Sequence, residues 1–181
     1  MRLFVATHLN SDVLREIGSF LSPLKSFRGV KWVAVDNLHI TLKFLGETED
    51  KKLGLIIDEL NQISASPFKL SIKETGAFPH LKNPRVIWIG VDGELDKCNE
   101  LYQSVEDRMD SLGFPFEKRD FKPHLTIGRV KGKVHKSVIN ELEKNKSKNF
   151  GEVEIKSFSL MESKLTPKGS IYNELERFTL E

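Results

Sequence analysis

A four-residue pattern of histidine, apolar residue, threonine and apolar residue occurs once in each half of the chain. It reads His-Ile-Thr-Leu at residues 39–42 and His-Leu-Thr-Ile at residues 124–127. Side chains alternate between the two faces of a β-strand, so a strand here places histidine and threonine on one face and the apolar residues on the other. The repeat therefore predicts a sheet in which two strands, each buried on one side, carry equivalent polar faces.

The same order of elements surrounds both copies of the motif. The first half predicts a strand over 2–9, a helix capped at Asn10-Ser11, an extended piece over 30–35, a strand over 38–45, a helix opened by Thr48 and a strand from Phe68. The second half predicts a strand over 85–91, a helix from Leu95 closed by Gly113, the second motif, a short helix over 134–142 and strands over 152–161 and 171–180.

This weak duplication of pattern predicts an α+β fold with two pseudo-symmetric antiparallel-sheet lobes, helices outside and a central cleft. No linker rich in Gly, Pro or Ser separates the halves, so we expect residues 1–181 to form one compact bilobal domain. A chain of 181 residues with 39% hydrophobic content can bury a substantial core. Its 28 basic and 26 acidic residues give a net charge of +2, which provides no global attraction to nucleic acid.

The single cysteine, Cys98, excludes an intrachain disulfide and lies on the apolar stripe of a predicted helix. The apolar opening segment is shorter than the core of a signal peptide, and no stretch approaches the length of a membrane span. We therefore expect a cytoplasmic protein that does not bind a membrane.

The paired motifs carry the groups that phosphodiester cleavage requires. Cleavage without a metal needs a base for the attacking oxygen and an acid for the leaving oxygen, and two histidines supply both near neutral pH. A threonine hydroxyl on the same face can donate to the charge that gathers on the phosphoryl oxygens. His39 with Thr41, and His124 with Thr126, thus form two matched half-sites.

Other uses of these residues fit less well. A single His-x-Thr on a strand is an ordinary half-exposed pair, but two copies in equivalent positions favour a shared function. Zinc requires three or four ligands, and neither motif has a carboxylate or cysteine at ligand spacing. A nucleophilic serine is disfavoured because the Gly-x-Ser-x-Gly turn is missing, and Cys98 falls in the predicted core.

These residues resemble the two-histidine (2H) phosphoesterase superfamily, which is defined by paired His-x-Thr/Ser-x motifs. Within it the chain is similar to the bacterial and archaeal RNA 2',3'-cyclic phosphodiesterases, also called 2'-5' RNA ligases. The likeness extends nearly end to end and is carried by residues 2–6, Trp32-Val33, 37–46, Phe78-Pro79, 84–86, 123–126 with Arg129, and 163–165 with Gly169 and Tyr172.

The resemblance implies a hydrolase that opens a 2',3'-cyclic phosphate at an RNA end to a 2'-phosphomonoester without metal or cofactor. It implies His124 as the proton acceptor that activates water and His39 as the proton donor to O3', although pseudo-symmetry leaves these roles reversible. The expected partner is an RNA with a 2',3'-cyclic phosphate end, and we expect a monomer. Two alternatives stay open, namely 2'-5' ligation by attack of a 5'-hydroxyl at the same site, and a noncatalytic nucleotide-binding module.

The resemblance also implies that Thr41, Thr126 and Arg129 bind phosphate. Simple alternation puts Arg129 on the face opposite His124, unless a bulge at Gly128 resets the phase; otherwise Arg129 ends the strand in solvent. Tyr172 is either a substrate contact or an ordinary amphipathic residue.

The remaining assignments follow from alternation and local context. Alternation predicts Lys43 on the face of His39 and Phe44 in the core. The histidines without a paired threonine, His8, His80 and His135, are predicted to be surface or locally hydrogen-bonded residues. Basic residues that could guide an RNA backbone, with solvated charge as the alternative, are Arg129, Lys131, Lys133, His135, Lys136, Lys164 and Lys168.

Overall fold

The computed structural model describes residues 1–181 as four helices on one face of a nine-stranded antiparallel sheet. The strands are β1 (Arg2–His8), β2 (Val30–Trp32), β3 (His39–Glu47), β4 (Phe68–Phe78), β5 (Val86–Gly93), β6 (His124–Val130), β7 (Asn149–Ile155), β8 (Ser157–Thr166) and β9 (Gly169–Thr179). The helices are α1 (Ser11–Leu21), α2 (Leu53–Asn61), α3 (Leu95–Ser111) and α4 (Lys136–Lys144). None of the helices is long and apolar enough to span a membrane.

Local signals in the sequence set several of these boundaries. The Asn10 side chain accepts a hydrogen bond from the Val13 amide at 2.9 Å, which caps α1 as predicted. Gly113 adopts a φ of 84° just beyond α3, a conformation that favours glycine and ends the helix as predicted. Cys98 is 1% exposed in the core, again as predicted.

Two predicted boundaries are wrong. The helix expected from Thr48 begins at Leu53, because the Thr48 amide still donates to the Met1 carbonyl at 2.7 Å and a 3₁₀ turn over Asp50–Lys52 precedes the helix. The strand expected over 152–161 is instead the two strands β7 and β8. They are separate strands because β7 pairs with β4 near one edge of the sheet, whereas β8 pairs with β1 near the other edge.

The strand order β7-β4-β5-β6-β3-β1-β8-β9 divides the sheet into two similar lobes. One lobe contains β3, β1, β8 and β9, and the other contains β6, β5, β4 and β7. The lobes therefore do not coincide with the halves of the sequence, because β4 crosses into the second lobe while β8 and β9 return to the first. This exchange of strands joins both lobes in one continuous sheet.

The two faces of the sheet have different roles. The face covered by the helices holds the main core of 34 buried residues. The opposite face carries only a small apolar cluster of Phe4, Ala6 and Met161, against which Tyr172 packs. This second face is therefore free to form the floor of a cleft.

The two motif strands meet at the centre of the sheet through one pair, Ile40 and Leu125, both fully buried. Farther along β6, the partner strand is β2 instead, which pairs with β6 from Val30 to Trp32. The strands β3 and β6 consequently touch at their histidine ends and separate beyond. The pseudo-symmetry of the lobes thus centres on the two motifs.

Each motif strand contains a β-bulge directly after its threonine. In β3, Thr41 and Lys43 face consecutive residues of β1, so Leu42 has no partner. In β6, Thr126 and Gly128 likewise face consecutive residues of β5, and Ile127 is left over. An extra residue shifts the alternation of all later side chains to the other face.

The bulge in β3 overturns two predictions from alternation. Lys43 points into the core side rather than toward the face of His39, and its side chain is 4% exposed. Its ammonium group donates to Glu106 Oε2 on α3 at 2.7 Å and to the Pro115 carbonyl at 2.9 Å. Phe44, predicted in the core, is 66% exposed on the cleft face, where it lies near Phe4.

We predict that Lys43→Met destabilises the protein by about 3–5 kcal/mol, because it leaves the buried Glu106 carboxylate without its cation. Adding Glu106→Gln should recover most of this loss, since it removes the orphaned charge. Urea unfolding measures both effects. The exposed pair of Lys97 and Glu94 provides the control, and Lys97→Met should leave the unfolding midpoint nearly unchanged because solvent screens this pair. A double variant as unstable as Lys43→Met would contradict this assignment.

Candidate active site

The two histidine–threonine pairs meet on the open face of the sheet. The neighbouring pair of Ile40 and Leu125 sets the register between β3 and β6. In an antiparallel register the next residues come side by side as His39 with Thr126 and Thr41 with His124. The four polar side chains, each partly exposed, therefore lie around one point of the cleft floor.

Both catalytic candidates are held by equivalent hydrogen bonds. His39 Nδ1 lies 2.7 Å from the Asn37 carbonyl oxygen, and His124 Nδ1 lies 2.7 Å from the Lys122 carbonyl oxygen. A carbonyl can only accept, so Nδ1 carries the proton in each ring. Each Nε2 is then free to take or give a proton in the cleft.

The first histidine is enclosed by aromatic side chains. Phe4 lies 4.9 Å from the His39 ring centre, and Tyr172 packs edge-on at 5.4 Å. Desolvation by this burial is the main influence that lowers the His39 pKa to about 4. The hydrogen bond to Asn37 raises the pKa, while charge on His8 and His124 lowers it.

The second histidine has a more open environment. Phe78 packs edge-on against the His124 ring at 5.2 Å and also contacts Trp88, the cross-strand partner of Thr126. The residue opposite His124 in β5 is Gly90, which adds no side chain to the cleft. The two imidazoles thus share their geometry but differ in their surroundings.

The bulge in β6 places Arg129 on the same face as His124 and Thr126. Gly128 is paired with the buried Ile87, on the core side, and Arg129 is paired with Val86, on the opposite side. Glycine is required because an added Cβ would approach Val30 Cγ1 to 2.7 Å. The exposed guanidinium of Arg129 therefore belongs to the cleft face, as the reset of phase at Gly128 predicts.

Aromatic residues continue from His39 along the first lobe. Phe4 contacts Tyr172 edge-on at 5.1 Å and lies 6.2 Å from the exposed ring of Phe44. Phe44 occupies the position in β3 that Arg129 occupies in β6. One lobe thus presents an apolar ring where the other presents a cation.

Several residues of the cleft were not predicted from the sequence. Phe4, Phe44 and Trp88 fall on apolar strands, where alternation alone does not distinguish a cleft face from a core face. His8 was predicted as a surface or locally bonded residue, but it lies directly opposite His39 in the β1–β3 ladder. The signal that could have located it is its position at the end of a strand that pairs with the first motif.

The other predicted residues lie apart from this point. His80 and His135 each accept a hydrogen bond from a nearby backbone amide, as predicted. The basic residues Lys131, Lys133, Lys136, Lys164 and Lys168 are exposed. No group of three or more His, Cys, Asp or Glu side chains is arranged to hold a metal ion.

Comparison with known proteins agrees with this geometry. The family model "LigT like Phosphoesterase" matches twice, over residues 9–88 and 89–172, so that each match contains one motif. An RNA 2',3'-cyclic phosphodiesterase of Archaeoglobus fulgidus is 45% identical over 98% of this chain and 99% of its own. One from Methanocaldococcus jannaschii is 39% identical over 98% of this chain and 100% of its own.

Solved structures show the same architecture. The crystal structure of a Thermus thermophilus protein matches with a TM-score of 0.85 and 30% identity over 99% of this chain and 98% of that one. E. coli LigT complexed with 3'-AMP matches with a TM-score of 0.80 and 25% identity over 99% of this chain and 97% of that one. The paired motifs, the two-lobed sheet and these matches show that the chain belongs to the LigT-like phosphoesterase family.

Proposed function

We propose that this protein is an RNA 2',3'-cyclic phosphodiesterase that opens the cyclic phosphate at an RNA end to a 2'-phosphomonoester. The observation that carries the proposal is the pair of imidazoles whose Nδ1 atoms are both tied to backbone carbonyls, which leaves both Nε2 atoms available in one cleft. The names of the A. fulgidus and M. jannaschii relatives support the same activity.

In the proposed reaction His124 accepts a proton from water as its oxygen attacks phosphorus. The bond between phosphorus and O3' breaks, and His39 donates its Nε2 proton to the leaving O3'. The products are a 2'-phosphomonoester and a free 3'-hydroxyl. The proton gained by His124 and the proton lost by His39 balance, so solvent exchange restores the pair for the next turnover.

The phosphoryl oxygens need donors as negative charge grows on them. We assign this role to the hydroxyls of Thr41 and Thr126 and to the guanidinium of Arg129. Arginine can bind two oxygens of one phosphate at once, which fixes orientation as well as charge. Donors preorganised in this way cost no reorganisation when the charge develops, and they act more strongly in a site that excludes water than in water.

The low pKa of His39 affects how this cycle starts. With a pKa of about 4, His39 is neutral in the empty cleft near neutral pH. The phosphodiester anion raises the pKa when it binds, because an opposite charge nearby favours the imidazolium. In the proposed cycle His39 takes up its proton together with the substrate. The pKa of the empty cleft taken alone would favour the reverse roles, in which His39 is the base.

The walls of the cleft fit the terminal nucleotide of an RNA strand. We assign Phe44 and Tyr172, which flank Phe4, as apolar contacts for the ribose and base, since single-stranded RNA is held by stacking on aromatic rings. The exposed basic residues beyond Arg129 and on the β8–β9 hairpin would attract the backbone.

We propose further that the protein acts as a monomer in the cytoplasm. Its one thiol, Cys98, is buried in α3, and this burial raises its pKa to about 12. A thiol in this state neither forms a disulfide nor acts as a nucleophile.

We predict that His39→Ala and His124→Ala each lower turnover of a cyclic-phosphate oligonucleotide about 10²–10⁴-fold, because each removes one proton-transfer partner. The assay should contain EDTA, and the wild-type product should be the 2'-phosphomonoester. His80→Ala, which changes an exposed histidine outside the motifs, should retain wild-type turnover. Binding without turnover by the wild type would instead identify a nucleotide-binding module, and joining to an added 5'-hydroxyl RNA would identify a ligase.

A substrate in which sulfur replaces O3' separates the two roles. A thiolate leaves without protonation, so the variant that lacks the proton donor should recover most of its rate. We expect this rescue for His39→Ala and little rescue for His124→Ala in single-turnover assays. Rescue of His124→Ala alone would reverse the assignment.

Arg129→Gln should reduce kcat/KM about 10–100-fold, because it removes a charge-assisted contact to the phosphate worth about 1.5–3 kcal/mol. Arg129→Lys should recover only part of the loss, since an ammonium cannot bind two oxygens as a guanidinium does. Lys31→Gln, at the residue paired with Arg129 in β2, is the matched control. Equal effects at positions 31 and 129 would show that only local charge matters.

A further inference from the structure

A third histidine shares the cleft floor with His39. His8 ends β1 and is the direct cross-strand partner of His39. Paired residues of antiparallel strands project to the same face, so the two imidazoles are neighbours. The equivalent partner of His124 is Gly90. One catalytic histidine therefore has an ionisable neighbour and the other has none.

The carboxylate of Glu174 lies next to the His8 ring. His8 Nε2 is shielded from solvent, makes no hydrogen bond and lies 3.5 Å from Glu174 Oε2 on β9. Glu174 is fixed in turn by the Ser159 hydroxyl at 2.8 Å and by Arg177 Nη2 at 2.9 Å. His8 Nε2 and the Glu174 carboxylate are thus close enough to interact through their charges, although no hydrogen bond joins them.

The pKa values of His8 and Glu174 depend on burial and on the charges of their neighbours. Burial lowers the pKa of His8, Glu174 raises it, and Arg177 lowers it, with a net decrease. Desolvation raises the pKa of Glu174, but hydrogen bonds from Arg177 and Ser159 bring it below its usual value. Near neutral pH the empty cleft therefore holds a neutral His8 beside an ionised Glu174.

We propose that the His8–Glu174 pair controls proton uptake by His39 and thereby makes the two catalytic histidines chemically unequal. Adjacent imidazoles resist being charged together because like charges disfavour the second protonation. Glu174 draws a proton toward His8 and so away from His39. The inference rests on the proposed function, for which His39 must change its protonation state during each turnover.

Other ionisable groups around the pair do not reproduce this effect. His39 is faced by His8 from β1, by His124 from β6 and by Tyr172 from β9. His8 is faced by Glu174 and Arg177, both from β9. Of these groups only His8 is a histidine outside the two motifs, and the equivalent position beside His124 is Gly90. It acts through His39 and is therefore a positioning residue rather than a catalytic one.

The test replaces His8 and follows His39 directly. NMR titration of the imidazole ring signals, without substrate, should show a higher His39 pKa in His8→Asn and in His8→Gln than in the wild type. Glu174→Gln should lower the pKa of His8. Glu176→Gln changes an exposed glutamate of the same strand and should leave both histidines unchanged. Unfolding midpoints near that of the wild type confirm that each variant folds.

The kinetic counterpart is the pH profile of kcat/KM on a cyclic-phosphate dinucleotide. Its acid limb reports the lower of the two essential pKa values and should move to higher pH in His8→Asn. An unchanged His39 titration together with an unchanged acid limb, in folded His8→Asn and His8→Gln, would overturn the inference. If the wild type does not hydrolyse the substrate but the His39 titration still moves, the proposed function fails and the coupling stands.

Discussion

The two β-bulges that follow Thr41 and Thr126 control what this sheet can do. Without them, alternation would put Lys43 in the cleft and turn Phe44 and Arg129 into the core. Each bulge inserts one unpaired residue, Leu42 or Ile127, and so moves the residues that directly follow it to the opposite face; in β3 a second shift at Leu45 ends this stretch. The bulges therefore extend each motif from two side chains on the cleft face to three, with Phe44 added in one lobe and Arg129 in the other.

The two pseudo-symmetric lobes each supply one histidine–threonine pair to the site. The positions at which the lobes differ make the two sides of the site unequal. The core-side position after each bulge holds Lys43 in one lobe, where it pairs with Glu106, and Gly128 in the other, where β2 fills the space. On the cleft side Phe44 is matched by Arg129. In the proposed reaction, a substrate with a charged phosphate and an aromatic base would distinguish these two walls, and we expect it to bind in one orientation that gives the two histidines different partners.

Local patterns predicted the strands, the caps at Asn10 and Gly113 and the polar faces of the motifs, because these depend on neighbouring residues. They failed at Lys43 and Phe44, since a bulge is defined by pairing with β1, a distant segment. Gly128 gave a partial signal because glycine in a strand marks close approach of another chain segment. The position of His8 and the exchange of β4 with β8 depend on strand order, which periodicity alone does not contain.

The proposed reaction requires that His39 and His124 bind one phosphate together through their Nε2 atoms. Long-range ¹H–¹⁵N NMR of the imidazoles during titration with 2'-AMP tests it most directly, because it reports each ring nitrogen without requiring turnover. We expect the Nε2 signals of His39 and His124 to shift together with one dissociation constant, while those of His80 and His135 do not respond. A response from only one of the two histidines, or two separate dissociation constants, would contradict it.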